Sequence, residues 1–282
     1  MRQPFHNPYV QQAIIFVLAI FLLWWELGTH DVQEWDEARN GVNAWYMYYN
    51  HDYVNYYYGN ELDTWNAKPP LMIWLITLSY HIFGFNEFAL RFPSALSALI
   101  FFVVLYRLVR RYSNASAAFL TILILFGCRA IISFHVGRTG DFDSLLLLFL
   151  TCSVFYFCRH VFDGHKYAIY LLALFTGLAF YTKGTAGLLY IPGMFLFLLI
   201  NRQLLSTLRQ GRTYIGISIF VVIVSSWIGL VYSFGKSSEH SVYGTKNSIE
   251  TMFIHDTYKR LASDEFSSNA PRDNFFFSTV WK

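Results

Sequence analysis

The sequence predicts an all-α, polytopic helical membrane protein, and three observations carry that expectation. Of its 282 residues, 55% are hydrophobic and only 14% are charged, a balance that a soluble domain of this size does not reach. Its 28 Phe and 20 Tyr are more aromatic surface than a water-facing fold would hide. Several nearly uncharged runs reach the roughly 17–22 residues that a helix needs to cross a bilayer. The net charge of +3 excludes little, because the order of the charges along the chain matters more than their sum.

The first run covers residues 10–28. It resembles a signal peptide, but no small-residue cleavage site follows, so it reads as a retained signal-anchor. The run at 69–84, PPLMIWLITLSYHIFG, is short and opens on two prolines. Counted as a span, it would put Arg107, Arg110 and Arg111 outside, against the rule that basic residues stay cytoplasmic. It therefore reads as interfacial or re-entrant. Runs at 88–106, 115–136, 144–160, 167–182, 184–200 and 213–234 then complete about seven spans, with the N-terminus in the cytoplasm. The cytoplasmic connections hold Arg2, the three arginines just named, Arg159, Lys166, Arg202, Arg209 and Arg212, with Asp163 the one acid among them. Nearly every other acid falls outside. Residues 1–234 are thus expected to form a transmembrane domain whose outer loop, 29–87, carries interfacial helices. Residues 235–282 are expected to be an extracytoplasmic polar tail, the start of a further part that the chain lacks. Cys128, Cys152 and Cys158 lie within apolar runs and carry no disulfide message.

Against the acidic outer face, five basic residues stand at the outer ends of apolar runs: Arg39, Lys68, Arg91, Arg138 and Lys183. One such residue can snorkel or pair locally. Five, each in a short polar motif at the outer end of an apolar run, suggest a site for an anion, and a phosphate at the membrane surface is the obvious candidate. The stretch WDEARNGVNAWYMYY reads as an amphipathic helix lying in the interface. Asp36 and Arg39 share a face there, although Asp36 also suits a helix N-cap, with Glu37 in the first turn. Lys68 precedes a double proline, Arg138, Asp141 and Asp143 share a glycine-punctuated turn, and Lys183 sits in another tight turn.

A sugar on a polyprenyl phosphate would use this set. A carboxylate takes the acceptor's proton on one side of the anomeric carbon, and cations stabilise the departing phosphate on the other. Asp36 fits the first role; Arg39, Lys68, Arg138 and Lys183 fit the second. Glu37 and Asp143 are counted with them as candidate substrate-binding residues. No P-loop or dinucleotide fingerprint is visible, and an activated donor needs neither.

At the level of motifs the chain resembles the lipid-linked-sugar glycosyltransferases of the GT-C fold, in the branch of protein O-mannosyltransferases and bacterial aminoarabinose transferases that modify lipid A. WDEARNGVNAWYM, KPPLMIWL, LRFPSAL, GRTGDFDSLLLLF and YTKG carry the resemblance, in order, over roughly residues 30–200. It implies that Asp36 is the catalytic carboxylate, that Arg39 and Lys68 lie near the donor phosphate, and that juxtamembrane helices line the cavity. In aminoarabinose transferases an acid precedes the loop lysine; Ala67 stands there, so no acid role carries over. Full-length relatives also have further spans and a soluble outer domain.

The implied partners are a polyprenyl-phosphate-linked sugar donor, membrane lipid, and an acceptor that is a lipid such as lipid A, a protein or a glycan, with no nucleic acid. A divalent cation is a secondary expectation, held by two outer carboxylates with His240 or His255 at scattered spacing. Two other readings are a transporter or flippase of lipid-linked sugars, and an inactive truncated membrane scaffold. The transporter reading predicts mid-span charges and broken helices in matched halves, whereas Arg129 is the only charge set back from the ends of the spans and no internal repeat is visible.

Overall fold

A computed structural model describes residues 7–132, 136–237 and 248–253. Most of the predicted polar tail, with His240 and His255, lies outside the described residues. The fold is helical, with one two-residue hairpin, Tyr57–Tyr58 against Glu61–Leu62. Asparagines start three of the helices. Asn7 accepts the Tyr9 N–H ahead of α1 (Pro8–Trp24) at 3.0 Å, Asn86 accepts that of Ala89 in α4 (Glu87–Tyr112) at 2.9 Å, and Asn114 that of Ala117 in α5 (Ala115–Phe126) at 2.8 Å. Each satisfies an amide that the first helical turn leaves unpaired.

Between α1 and α4 lie α2 (Asp36–Asn50) and α3 (Leu71–Phe83). After α5 come the single turn α6 (Arg129–Ile132), α7 (Asp143–Val161), α8 (Ala168–Lys183), a 3-10 turn (Gly184–Leu188) and α9 (Ile191–Ile200). The short α10 (Leu204–Leu208), α11 (Gly211–Phe234) and the fragment α12 (Ser248–Glu250) complete the order. The bundle runs α4, α7, α8, α11 across, with α1 and α5 flanking α4 and with α2 and α3 stacked at one end. Its seams are made of small residues: Ala89, Ser94, Ala95 and Ala98 on α4, and Ser144, Thr151 and Ser153 on α7, are buried. Such side chains let helix backbones approach closely where no water drives association. The opposite pattern appears outside, where Phe16, Phe21, Ile124, Leu196, Ile200 and Val222 are exposed, as a hydrocarbon surrounding requires.

Among the described residues α4, α7 and α11 are long and apolar enough to cross a bilayer, and α8 with α9 makes a fourth if a 74° bend within it is accepted. This departs from the sequence expectation in two places. Among the described residues the run 115–136 is not one continuous helix: α5 stops at Phe126, Gly127 and Cys128 interrupt it, and α6 resumes at Arg129, with 133–135 outside the described residues. In the run 184–200 the first residues form the 3-10 turn, so α9 keeps 10 residues, about 15 Å or half the hydrocarbon thickness. Hydropathy counts apolar residues and does not register a glycine that ends a helix. The 13-residue α3 is also shorter than a bilayer, as its opening prolines suggest.

The α11 end is tied to the first loop by polar bonds. Asn55 donates to the Phe234 carbonyl at 3.0 Å and accepts the Lys236 N–H at 2.7 Å, while the Lys236 ammonium reaches Asp52 at 3.0 Å. Burial alone would raise the Asp52 carboxyl, but hydrogen bonds from Lys236, Asn55 and Tyr57 outweigh it and hold its pKa below the usual 3.8. A depressed folded-state pKa stabilises above the ordinary value and ceases to do so as pH falls through the lower one. Lys236 is 58% exposed, so screening limits the gain to about 1 kcal/mol or less. Asp52→Asn should therefore unfold slightly earlier than wild type at neutral pH, and the two thermal midpoints should converge as pH drops below the ordinary carboxylate range. A gap that persists in acid would separate the tether from the Asp52 charge.

Candidate active site

The site is built on a buried ion pair. Glu37, in the first turn of α2, faces Arg91 of α4 at 2.8 Å, and both side chains are almost fully enclosed, at 2% and 3% exposed. Glu37 also accepts the Gln33 N–H at 2.7 Å and the Gly140 N–H at 2.9 Å. Arg91 further donates to the carbonyls of Leu27, His30 and Asp31. This one pair fixes the chain after α1, the start of α2, the body of α4 and the 137–143 turn. Gly140 must be glycine for a steric reason: a Cβ there would lie 2.6 Å from Leu90 Cδ1.

Asp36 is the first residue of α2, and it is not the cap. Trp35 occupies that position with φ 74°, a left-handed conformation that a bulky side chain adopts at a cost of about 1–3 kcal/mol. Asp36 is half-buried, and its carboxylate makes no hydrogen bond or ion pair among the described residues.

Along the inner face of α2, Glu37, Asn40, Asn43, Ala44 and Met47 are buried at helical spacing. Asn40 donates to the Gly140 carbonyl at 3.0 Å, and Asn43 donates to Asp63 at 3.0 Å and to the Tyr57 carbonyl. Asn66 donates to Asn43 at 2.8 Å. Asp63 in turn accepts from Arg39 at 2.7 Å, and the Arg39 guanidinium lies over the rings of Tyr58 and Trp65. Sequence reasoning missed Asn40, Asn43, Asp63 and Asn66. The signal for the first two was their spacing from Glu37, which places them on its face of the helix.

Lys68, Asp143 and Lys183 meet through the 137–143 turn. Lys68 Nζ sits 4.7 Å from the Phe142 ring centroid and has no hydrogen-bond acceptor among the described residues. The next residue, Asp143, pairs with Lys183, and both are partly open at 33% and 27% exposed. Gly184 follows at φ 60°, and a Cβ there would meet Met252 Sδ at 2.6 Å and Pro69 at 3.7 Å, so the Lys183 turn lies beside the Lys68 turn. The same 137–143 segment receives Glu37 through Gly140, which brings the start of α2 to this corner.

Besides Arg39, Asp143 and Lys183, two further residues expected among the substrate contacts are engaged by the protein itself. Glu37 has both oxygens engaged, as above. Arg138 donates to the carbonyls of Leu22, Trp25 and Glu26 and so caps the C-terminus of α1. Burial, then the nearby Arg91, pull its guanidinium below the ordinary arginine value. Among the described residues no group of three or more His, Cys, Asp or Glu comes together to hold a metal ion.

The sequence profile of the family described as dolichyl-phosphate-mannose-protein mannosyltransferase matches residues 67–229, more than half of the chain. An uncharacterized protein of Aquifex aeolicus is 26% identical over 272 residues, 95% of this chain and 53% of its own length. An undecaprenyl phosphate-alpha-4-amino-4-deoxy-L-arabinose arabinosyl transferase of Shewanella sediminis is 28% identical over 74% of this chain and 38% of its own. The crystal structure of ArnT from Cupriavidus metallidurans bound to undecaprenyl phosphate superposes with a TM-score of 0.72 at 22% identity, covering 88% of this chain and 44% of that one. The chain thus spans about half or less of the length of these relatives.

Removing one partner of the buried pair leaves the other charged and enclosed, which costs about 3–5 kcal/mol. Arg91→Leu should therefore lower the thermal midpoint by far more than Asp36→Asn, whose carboxylate has no partner to lose. Equal effects in detergent-solubilised protein would deny the pair its structural weight.

Proposed function

Because the chain belongs to the dolichyl-phosphate-mannose-protein mannosyltransferase family, we propose that it is an inverting membrane glycosyltransferase, moving a sugar from a polyprenyl-phosphate donor to an extracytoplasmic acceptor. The acceptor is a hydroxyl of a lipid, protein or glycan. The observation that carries this reading is the contrast at one corner of the bundle: among the described residues the Asp36 carboxylate and the Lys68 ammonium have no hydrogen-bond or ion-pair partner, while their charged neighbours are paired. An unengaged carboxylate is ready to take a proton, and an unengaged ammonium to take a phosphate. That the Cupriavidus protein of similar fold is described with undecaprenyl phosphate supports the choice of donor class. The basic residues gathered at the opposite end of the helices support an outward-facing site, by the positive-inside rule, in a bacterial inner membrane or its equivalent.

In this mechanism the acceptor hydroxyl attacks the anomeric carbon as Asp36 takes its proton. The bond from that carbon to the phosphate oxygen breaks, and the polyprenyl phosphate leaves with the electron pair. Lys68 stabilises the charge that develops on the phosphate, with Lys183 and Arg39 as further cations nearby. Asp143 holds Lys183 in position, and Glu37 holds the start of α2.

With undecaprenyl-phosphate sugars as donors, Asp36→Asn should lower kcat by roughly 10²–10⁴-fold with little change in donor KM. Lys68→Met should instead weaken undecaprenyl-phosphate binding by about tenfold or more, the scale of one charge-assisted hydrogen bond. Turnover that survives Asp36→Asn would remove Asp36 as base, and absence of turnover with every donor would favour an inactive scaffold.

A further inference from the structure

The other end of the bundle carries a second polar chamber that the transfer reaction does not use. α7 runs away from the candidate active site to Val161, and α8 and α11 begin there at Ala168 and Gly211. Between them lies a cavity of about 430 Å³ lined by His160, Lys166, Gln203, Ser206, Gln210 and Arg212, among others. Lys166 makes no hydrogen bond or ion pair among the described residues, and Arg212 only covers the Tyr167 ring at 5.7 Å. His160 Nδ1 is buried without a hydrogen-bond partner. The one acid of this region, Asp163, is consumed by Arg111 at 2.7 Å and Arg159 at 3.4 Å. Among the described residues no carboxylate lines the chamber, and the N-terminus of the 24-residue α11 adds its own positive field.

An apolar groove of about 280 Å³ adjoins it, walled by Phe157, Leu172, Met194, Leu198, Ile217 and Phe220. Thr207 lies in the wall of both, so the polar chamber opens onto the greasy one at α10. Free cations beside a hydrocarbon slot match an amphiphile with an anionic head. A free phosphate would leave the groove unused, and a neutral lipid would leave the cations unused.

We propose that this end of the protein binds one anionic phospholipid, its phosphate seated between Lys166 and Arg212 and one acyl chain laid in the groove beneath α9 and α10. The bilayer itself supplies this ligand, and its negative surface favours basic groups at this depth. The site is separate from the proposed transfer chemistry, because Lys166 and Arg212 sit at the far ends of α8 and α11 from Lys183 and Phe234.

The test is native mass spectrometry of the detergent-purified chain, offered equal dioleoylphosphatidylglycerol and dioleoylphosphatidylcholine. Wild type should retain one phosphatidylglycerol in preference to phosphatidylcholine. The double variant Lys166→Gln/Arg212→Gln should retain it about thirty-fold less well, the effect of two basic groups near a lipid phosphate. A matched control, Arg202→Gln/Arg209→Gln, removes the same charge outside the chamber and should change nothing. Ile217→Trp, which fills the groove, should also release the lipid, and Lys166→Arg should keep it. Equal retention of both lipids, equal loss in the control, or displacement by inorganic phosphate alone would each overturn the proposal. Thermal midpoints of all variants guard against misfolding, and a lipid lost only with the fold would count against it too.

Discussion

The buried pair of Glu37 and Arg91 is the constraint on which the rest of the corner depends. Moving two ions out of water costs several kcal/mol each, and their attraction offsets this only when every donor and acceptor is used. Here the condition is met. Arg91 directs its fork at two carboxylate oxygens and three carbonyls, and Glu37 adds two backbone amides. A lysine has neither the planar fork nor enough donors to do this. The pair therefore works as a four-way joint, and a first loop that would otherwise drift along the membrane surface is held to α4.

A joint of this kind also lets strain persist. Trp35 holds a left-handed backbone with its ring largely in the open, at 63% exposed, so its own packing does not explain its conformation. The bonds on either side do: the Gln33 N–H is fixed on Glu37 and the Arg39 N–H on the Trp35 carbonyl. The turn must close within those few residues. The consequence falls on Asp36, which enters the helix at a set angle with its carboxylate unpartnered among the described residues, next to a neighbour whose carboxylate is fully spent. Two adjacent acids thus divide the work, one structural and one available.

Much of the fold was legible and the partners were not. The apolar runs marked α1, α4, α7, α8 and α11 because hydrocarbon thickness is written directly into residue count, and the prolines at 69 and 70 marked α3 as something other than a span. Gly127 broke one expected run, and the 3-10 turn Gly184–Leu188 shortened another from its start, because a local change of backbone ends a helix without altering average hydropathy. At the site, the cations were found by their unusual side, but their partners came from distant segments: Arg91 from Glu37, 54 residues away, and Lys183 from Asp143, 40 residues away. A one-dimensional pattern carries no such pairing. Arg138 shows the limit most clearly, since its place in the motif suggested a ligand while its fold partners are the last carbonyls of α1. The buried asparagines of α2 hid for a related reason, since an amide on an inward face looks like any polar surface residue until its acceptors are in view.

In the proposed reaction, which cation would meet the donor phosphate first follows from what each must give up. Lys183 is bound to a carboxylate, and an arriving anion has to share it with Asp143 or push that acid aside. Arg39 is committed to Asp63 and wedged between two rings. Among the described residues Lys68 has only the face of Phe142, an attraction of about 0.5–2 kcal/mol that survives when another group approaches from the open side. An ammonium with no acceptor among the described residues gains most from a phosphate and loses least. The paired cations around it contribute in a different way: by cancelling the local acids, they keep Asp143 and Asp63 from repelling an anion that docks on Lys68. In the proposed reaction, ion pairing at this corner would serve selectivity for negative charge, and among the described residues it leaves one basic and one acidic group without a partner on either side of the turn that joins them.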